Sequence, residues 1–174
     1  MIIILFGVCG CGKTATGLSL SSKLHWRFED ADKYHPESNI SKMARGEPLT
    51  DEDRWPWLRL LHIMLAKWHG DNQDGILACS ALKKSYRRVL LTGNQSGNGN
   101  SLDQHCKLVF LHGSADVIAS RLDARSGHFM PTSLLESQLT VLELPDKEEN
   151  VLQCDITEST DQIVIHIINS LNLT

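Results

Sequence analysis

Apolar residues along this chain fall into short unbroken runs, separated by longer stretches in which they recur every three or four positions. The runs 1–6, 26–29, 75–79, 107–112 and 151–155 predict β-strands, and each is followed by a helical stretch. Near-continuous apolar strands alternating with helices are the pattern of a parallel sheet covered on both faces. The expected fold class is therefore α/β: three layers, with a parallel five-stranded sheet flanked by helices. Within 53–69, Trp57, Leu61, Met64 and Trp68 share a stripe, with Leu58 and Leu65 beside it and Arg59, His62 and His69 opposite. That spacing predicts an amphipathic helix whose stripe is core packing. The stretch 159–172 repeats it with Ile163, Ile167 and Leu171. Across 92–106 the apolar signal lapses into Gly, Asn, Ser and Gln, which predicts a flexible polar surface loop. No repeat or linker divides the chain, and its length of 174 residues suits one domain, 1–174.

Directly behind the first run stands Gly7-Val8-Cys9-Gly10-Cys11-Gly12-Lys13-Thr14. It fits the phosphate-loop pattern G-x-x-x-x-G-K-[ST] in the required context, a buried strand before and a helix after. Glycines at 7, 10 and 12 let the backbone curl into a nest of N–H groups, and the helix that follows adds its positive end. Lys13 is expected at the β- and γ-phosphates of ATP, and the Thr14 hydroxyl at Mg²⁺. Cys9 and Cys11 occupy positions where backbone amides do the binding. A C-x-C metal site is the alternative there, with no second Cys/His pair nearby at zinc spacing.

The second strand ends in Glu29-Asp30-Ala31-Asp32, and strand alternation puts Asp30 and Asp32 on one face at the sheet's carboxyl edge. That edge is the ligand crevice of open α/β sheets. Asp30 is the expected outer partner of Mg²⁺, because the third strand lacks a terminal Asp, and Asp32 the expected acceptor of a hydroxyl proton. Cations after strand ends suggest an anionic acceptor: Lys42 and Arg45, Arg54, and Lys83-Lys84-Ser85-Tyr86-Arg87-Arg88. Arg121 and Arg125 lie one helical turn apart ahead of Gly127, which suits a mobile lid, about 122–135, closing over transferring phosphate.

The net charge of −4 argues against bulk binding to nucleic acid or anionic membranes. Five cysteines at irregular spacing do not suggest a disulfide framework, which points to a reducing, cytoplasmic setting. The N-terminal apolar run is too short for a membrane span, and it lacks the basic flank of a signal peptide.

Several blocks together carry a family resemblance. They are the 7–14 loop; Asp30-Ala31-Asp32-Lys33-Tyr34-His35-Pro36; Lys42-Met43-Ala44-Arg45-Gly46-Glu47-Pro48-Leu49; and Asp51-Glu52-Asp53-Arg54. To these add Cys79-Ser80-Ala81-Leu82-Lys83-Lys84 with Tyr86 and Arg87, Arg125-Ser126-Gly127-His128-Phe129-Met130, Leu135 to Gln138, and Leu142-Glu143-Leu144-Pro145. The set resembles the animal-type gluconokinases, of the P-loop kinase superfamily that includes nucleoside-monophosphate kinases.

The resemblance implies ATP-dependent phosphorylation of D-gluconate at its C6 hydroxyl, giving 6-phosphogluconate, with Mg²⁺ and a homodimer. It implies that Gly10 to Thr14 bind triphosphate and metal, that Asp32 aligns the acceptor hydroxyl, and that Arg125 belongs to the lid. Arg45, Arg54, Lys83 and Arg87, with His35 and His128, are the implied gluconate contacts. Cys9 and Cys11 stand where the family usually has serines, and Thr14-Ala15 where it has Ser-Thr. A shikimate-kinase-like or nucleoside-monophosphate kinase shares the loop, lid and Asp-x-Asp element, and a non-catalytic nucleotide-sensing module is the third reading.

Overall fold

The expected strands form as β1 (Ile2–Phe6), β2 (Arg27–Asp30), β3 (Gly75–Ala78), β4 (Cys106–His112) and β5 (Leu152–Asp155). They make one parallel sheet in the order β2-β3-β1-β4-β5. This computed structural model describes residues 1–97, 99, 101–123 and 132–173. Every residue of β1 and of β3 is buried, because helices cover both faces and neither strand has a polar side.

The helices are α1 (Lys13–Leu24), α2 (Glu37–Ala44), α3 (Asp51–Gly70), α4 (Lys84–Thr92), α5 (Ala115–Asp123), α6 (Thr132–Val141) and α7 (Thr160–Ser170). Alternate side chains of β1 feed two cores. Ile2, Ile4 and Phe6 pack with Trp57, Leu58, Leu61, Leu65 and Trp68 of α3 and with Val89 and Leu90 of α4. Ile3 and Leu5 pack with Leu20 of α1, Ile118 of α5, and Ile163, Val164 and Ile167 of α7. The result is the three-layer arrangement expected from the pattern.

Helix α3 begins at Asp51, ahead of the expected 53, because a capping box closes its first turn. The Asp53 N–H donates to Thr50 Oγ1 at 3.2 Å, and the Thr50 N–H donates to Asp53 Oδ2 at 2.8 Å. The 92–106 segment is not wholly surface, since Leu102 is buried in the α3/α4 core. Its N–H donates to the Leu91 carbonyl at 2.9 Å, and its carbonyl accepts from the N–H groups of His105 and Cys106, both at 2.8 Å.

The chain winds from β1 through β2 to β3 on one side, then crosses to β4 and β5 on the other. The winding therefore reverses beside β1, and the 7–14 loop leaves the sheet at that switch point. Among the described residues, no helix is long and apolar enough to cross a membrane.

Candidate active site

The loop after β1 has the conformation its glycines were expected to allow. Gly10 and Gly12 have φ of 82° and 97°, in the left-handed region that favours glycine. A Cβ on Gly10 would lie 2.7 Å from Leu122 Cγ, so the loop also rests directly on α5. Gly12 caps α1 with no side chain bonded across the helix start, which leaves the first-turn amides facing the crevice mouth. The Lys13 ammonium arches back over the loop and donates to the carbonyls of Gly7 and Val8, each at 2.9 Å. Arg121 borders the end of the phosphate loop, 3.4 Å from where a Cβ on Gly12 would stand, and donates to the Ile156 carbonyl after β5.

Asp30 and Asp32 meet at the crevice, but not by strand alternation. The strand ends at Asp30, and Ala31–Tyr34 form a 3₁₀ turn capped by the Asp30 carboxylate, whose Oδ1 accepts from the Asp32 N–H at 3.1 Å. The other oxygen, Oδ2, accepts from the Thr14 hydroxyl at 3.0 Å, which ties the acidic turn to the phosphate loop. From α3, Trp57 Nε1 donates to the Ala31 carbonyl at 2.9 Å and pins the residue between the two carboxylates.

The protein wall around the crevice, then the neighbouring Asp30 charge, raise the Asp32 carboxyl above the ordinary carboxylate range, while Lys13 opposes them. The side chain is 81% exposed, so water still reaches it, and the direction of the shift is that of a better proton acceptor. His35 lies beside it, with Nε2 3.9 Å from Asp32 Oδ1 and its ring stacked on Trp57 at 4.1 Å. Burial first, and Arg54 second, push its pKa down to about 4. The imidazole is therefore neutral at pH 7, and its approach to Asp32 is a polar contact rather than an ion pair. Buried Asn39 holds the ring, with Nδ2 2.9 Å from the Asp53 carbonyl as donor and 3.3 Å from His35 Nδ1.

Arg54 and Lys83 gather around one aromatic ring. The Arg54 guanidinium carbon and Lys83 Nζ lie 5.7 and 5.5 Å from the centre of the Tyr86 ring. Lys83 also donates to both oxygens of Asp51 at 2.9 Å, and the Tyr86 hydroxyl donates to Oδ1 of the same carboxylate. The arrangement is thus a phosphate loop, an acidic turn fastened to it, and a basic and aromatic group that reaches the acidic side through Arg54 near His35. It can hold a polyphosphate beside a hydroxyl acceptor that carries negative charge.

Comparison with known proteins decides between the kinases that share this geometry. A shikimate kinase family model matches residues 9–172. The probable gluconokinase of Xenopus tropicalis is 43% identical over 96% of this chain and 91% of the relative. The chain belongs to the gluconokinase family. Among solved structures, a gluconokinase from Sinorhizobium meliloti superposes with a TM-score of 0.82 at 38% identity, over 98% of this chain and 90% of that one. A sugar kinase from Janibacter gives a TM-score of 0.86 at 37% identity, over 99% and 95%.

In this gluconokinase-family chain, two expected acceptor contacts already have carboxylate partners. Arg87 does not face the crevice: it is 0% exposed, with Nε and Nη2 on the Glu149 carboxylate at 2.6 and 2.8 Å. Its Nη1 donates to the carbonyls of Ala81 and Leu82, both at 3.1 Å. Ala81 has φ of 39°, a left-handed conformation that costs energy for a residue with a Cβ, so the buried guanidinium braces a strained turn. That turn abuts the phosphate loop through the Gly7 N–H, which donates to the Ser80 carbonyl at 3.2 Å. Arg87 therefore acts behind the site.

Arg45 ends α2, is exposed, and pairs in two places with its near neighbour Glu47, at 2.7 and 3.1 Å. Arg125 and His128 lie outside the described residues. Asp51, Tyr86, Asn39 and Trp57 were not singled out as site residues. Asp51 carries no signal of its own, because an acidic residue in the first turn of a helix already has a local reading and its pairing with Lys83 is a tertiary contact. Among the described residues, no three His, Cys, Asp or Glu side chains gather as a metal cluster, and Cys11 is buried in the core, so nothing supports the C-x-C alternative.

Proposed function

We propose that this chain transfers the γ-phosphoryl group of ATP in line to the C6 hydroxyl of D-gluconate, giving 6-phosphogluconate. The observation that carries this reading is the 3.0 Å bond between Thr14 Oγ1 and Asp30 Oδ2, which fixes the phosphate loop against the turn bearing Asp32. Asp32, with its raised pKa, accepts the hydroxyl proton. Lys13, resting on the loop carbonyls, neutralises charge on the transferring group, so catalysis is positioning and charge stabilisation. Arg54 and Lys83 bind the sugar-acid carboxylate and hydroxyls across from Asp32, with His35 supporting the acceptor side. Arg121 borders the nucleotide, and Arg125 keeps the lid role that its sequence setting suggests.

The donors near Thr14 suit Mg²⁺. A hydroxyl and a carboxylate oxygen are hard ligands, and this ion usually takes one or two protein oxygens together with substrate phosphates. Thr14 would hold it with Asp30 behind, and the chemistry it would supply there is neutralisation of phosphate charge.

A homodimer fits the outward stripe of α3, where Leu60 and Ile63 are 47% and 63% exposed beside exposed Pro56. The free buried thiols Cys11, Cys79, Cys106 and Cys154 suit the reducing cytoplasm.

The test is ADP release with Mg-ATP and a panel of gluconate, shikimate, glycerate and nucleoside monophosphates. Gluconate should be turned over selectively, with Lys13→Ala reducing turnover about 10²–10³-fold and Asp32→Asn also impaired. Selective turnover of shikimate or a nucleoside monophosphate would overturn the assignment.

A further inference from the structure

One peptide group of the phosphate loop is held from both edges. The carbonyl of the Val8–Cys9 peptide accepts from Lys13 Nζ at 2.9 Å and from the Cys11 N–H at 3.3 Å. Its N–H, which belongs to Cys9, donates to Gln138 Oε1 at 2.6 Å. A trans peptide is planar, with C=O and N–H pointing in opposite directions. Gln138 and Lys13 therefore grip opposite edges of a single plane.

The side chain that makes this contact stands on a fixed base. Leu135 of α6 is buried, and Leu139 and Leu142 pack against the same core. Just beyond α6, the Glu143 N–H donates to the Leu82 carbonyl at 2.9 Å, and Glu143 Oε2 accepts from the Lys84 N–H at 2.6 Å. Gln138 thus reaches the loop from a helix locked to the turn after β3.

We propose that Gln138 is a positioning residue for Lys13, acting through the Val8–Cys9 peptide. By accepting the Cys9 N–H, it opposes a flip of that plane. It also polarises the carbonyl on which the Lys13 ammonium rests. The geometry of the lysine is then set from α6, 129 residues along the chain from Cys9. The idea rests on the proposed phosphotransfer, in which Lys13 acts on the moving phosphoryl group.

Gln138→Met keeps the length of the side chain and removes the acceptor oxygen, whereas Gln138→Glu keeps an acceptor. Two readouts are needed: steady-state kinetics with gluconate and Mg-ATP, and hydrogen exchange of the Cys9 amide by NMR. For Gln138→Met, Cys9 exchange should accelerate and kcat should fall about 10-fold, a part of what complete loss of Lys13 costs. The gluconate KM and the melting midpoint should stay near wild type, and Gln138→Glu should recover kcat with a raised KM for ATP. Wild-type kcat in Gln138→Met, or a loss that Gln138→Glu does not relieve and that tracks a lowered melting midpoint, would overturn the proposal. Failure of the wild-type enzyme on gluconate is a separate result that sinks the substrate reading, while Cys9 exchange and calorimetric affinity for Mg-ATP still test Gln138.

Discussion

Replacing Arg87 by methionine separates a brace from a substrate contact. Methionine fills most of the arginine stem and is apolar, so the change removes the charge and four hydrogen bonds while keeping much of the packing. Breaking a buried ion pair commonly costs about 3–5 kcal/mol, because the partner is left charged and unpaired. Here the partner, Glu149, is 9% exposed and can draw in some water, so the low end applies, about 3 kcal/mol. That is a large part of a typical total stability of about 5–15 kcal/mol, yet it leaves the protein mostly folded. For a chain of this size it corresponds to a fall of about 6–12 °C in Tm. Urea unfolding at neutral pH measures the loss. The double variant Arg87→Met with Glu149→Leu should recover part of it, since no lone carboxylate then remains. The gluconate KM should rise less than the loss of a direct carboxylate contact would require. Stability within about 1 kcal/mol of wild type, together with a KM raised tenfold or more, would return Arg87 to the acceptor site.

Three further outcomes are expected. His35 has a folded pKa of about 4 against about 6.5 unfolded, so between those values the unfolded chain binds more protons. Its contribution, up to about 3 kcal/mol, is complete above pH 6.5 and is lost as pH falls toward 4; urea melts across that window should show a shallower slope for His35→Gln. Gly17 on α1 faces the Phe28 ring so closely that a Cβ would overlap it. Gly17→Ala should therefore destabilise by about 1–2 kcal/mol in thermal melts, despite the better helix propensity of alanine, and a stabilised variant would contradict the packing. Burial pushes the thiols of Cys79 and Cys106 up to about 12 and that of Cys154 up to about 11, whereas Cys9 is half-exposed on the phosphate loop. Iodoacetamide mapping by mass spectrometry should find Cys9 labelled before those three and protected by Mg-ATP, and first labelling at Cys79 would contradict this.

The strands were legible because a fully covered parallel sheet leaves long apolar runs, and β1 and β3 are buried at every position. The phosphate loop was legible because its function is carried by backbone shape, which glycine spacing encodes. The burial of Arg87 is not legible: sequence shows a cation after a strand end, but not that Glu149, 62 residues on, meets it in the interior. Strand alternation does not foresee how Asp32 reaches the crevice edge, since the Asp30 carboxylate starts a 3₁₀ turn there. Leu102 lay hidden in a polar stretch whose average composition outweighed one apolar residue. The start of α3 is legible in Thr50 standing three residues ahead of Asp53, an acidic variant of the capping box.

The place of β1 at the centre of the sheet has a consequence for how the chain reaches this state. Ile2–Phe6 cannot find a neighbour until Gly75–Ala78 and Cys106–Phe110 have been brought alongside it. Non-local pairing of this kind slows acquisition of the native topology. In the interval, a wholly aliphatic and aromatic pentapeptide stays uncovered, without charge or proline to discourage self-association. Refolding yield should therefore fall with protein concentration, and this strand is where a chaperone would have most to shield.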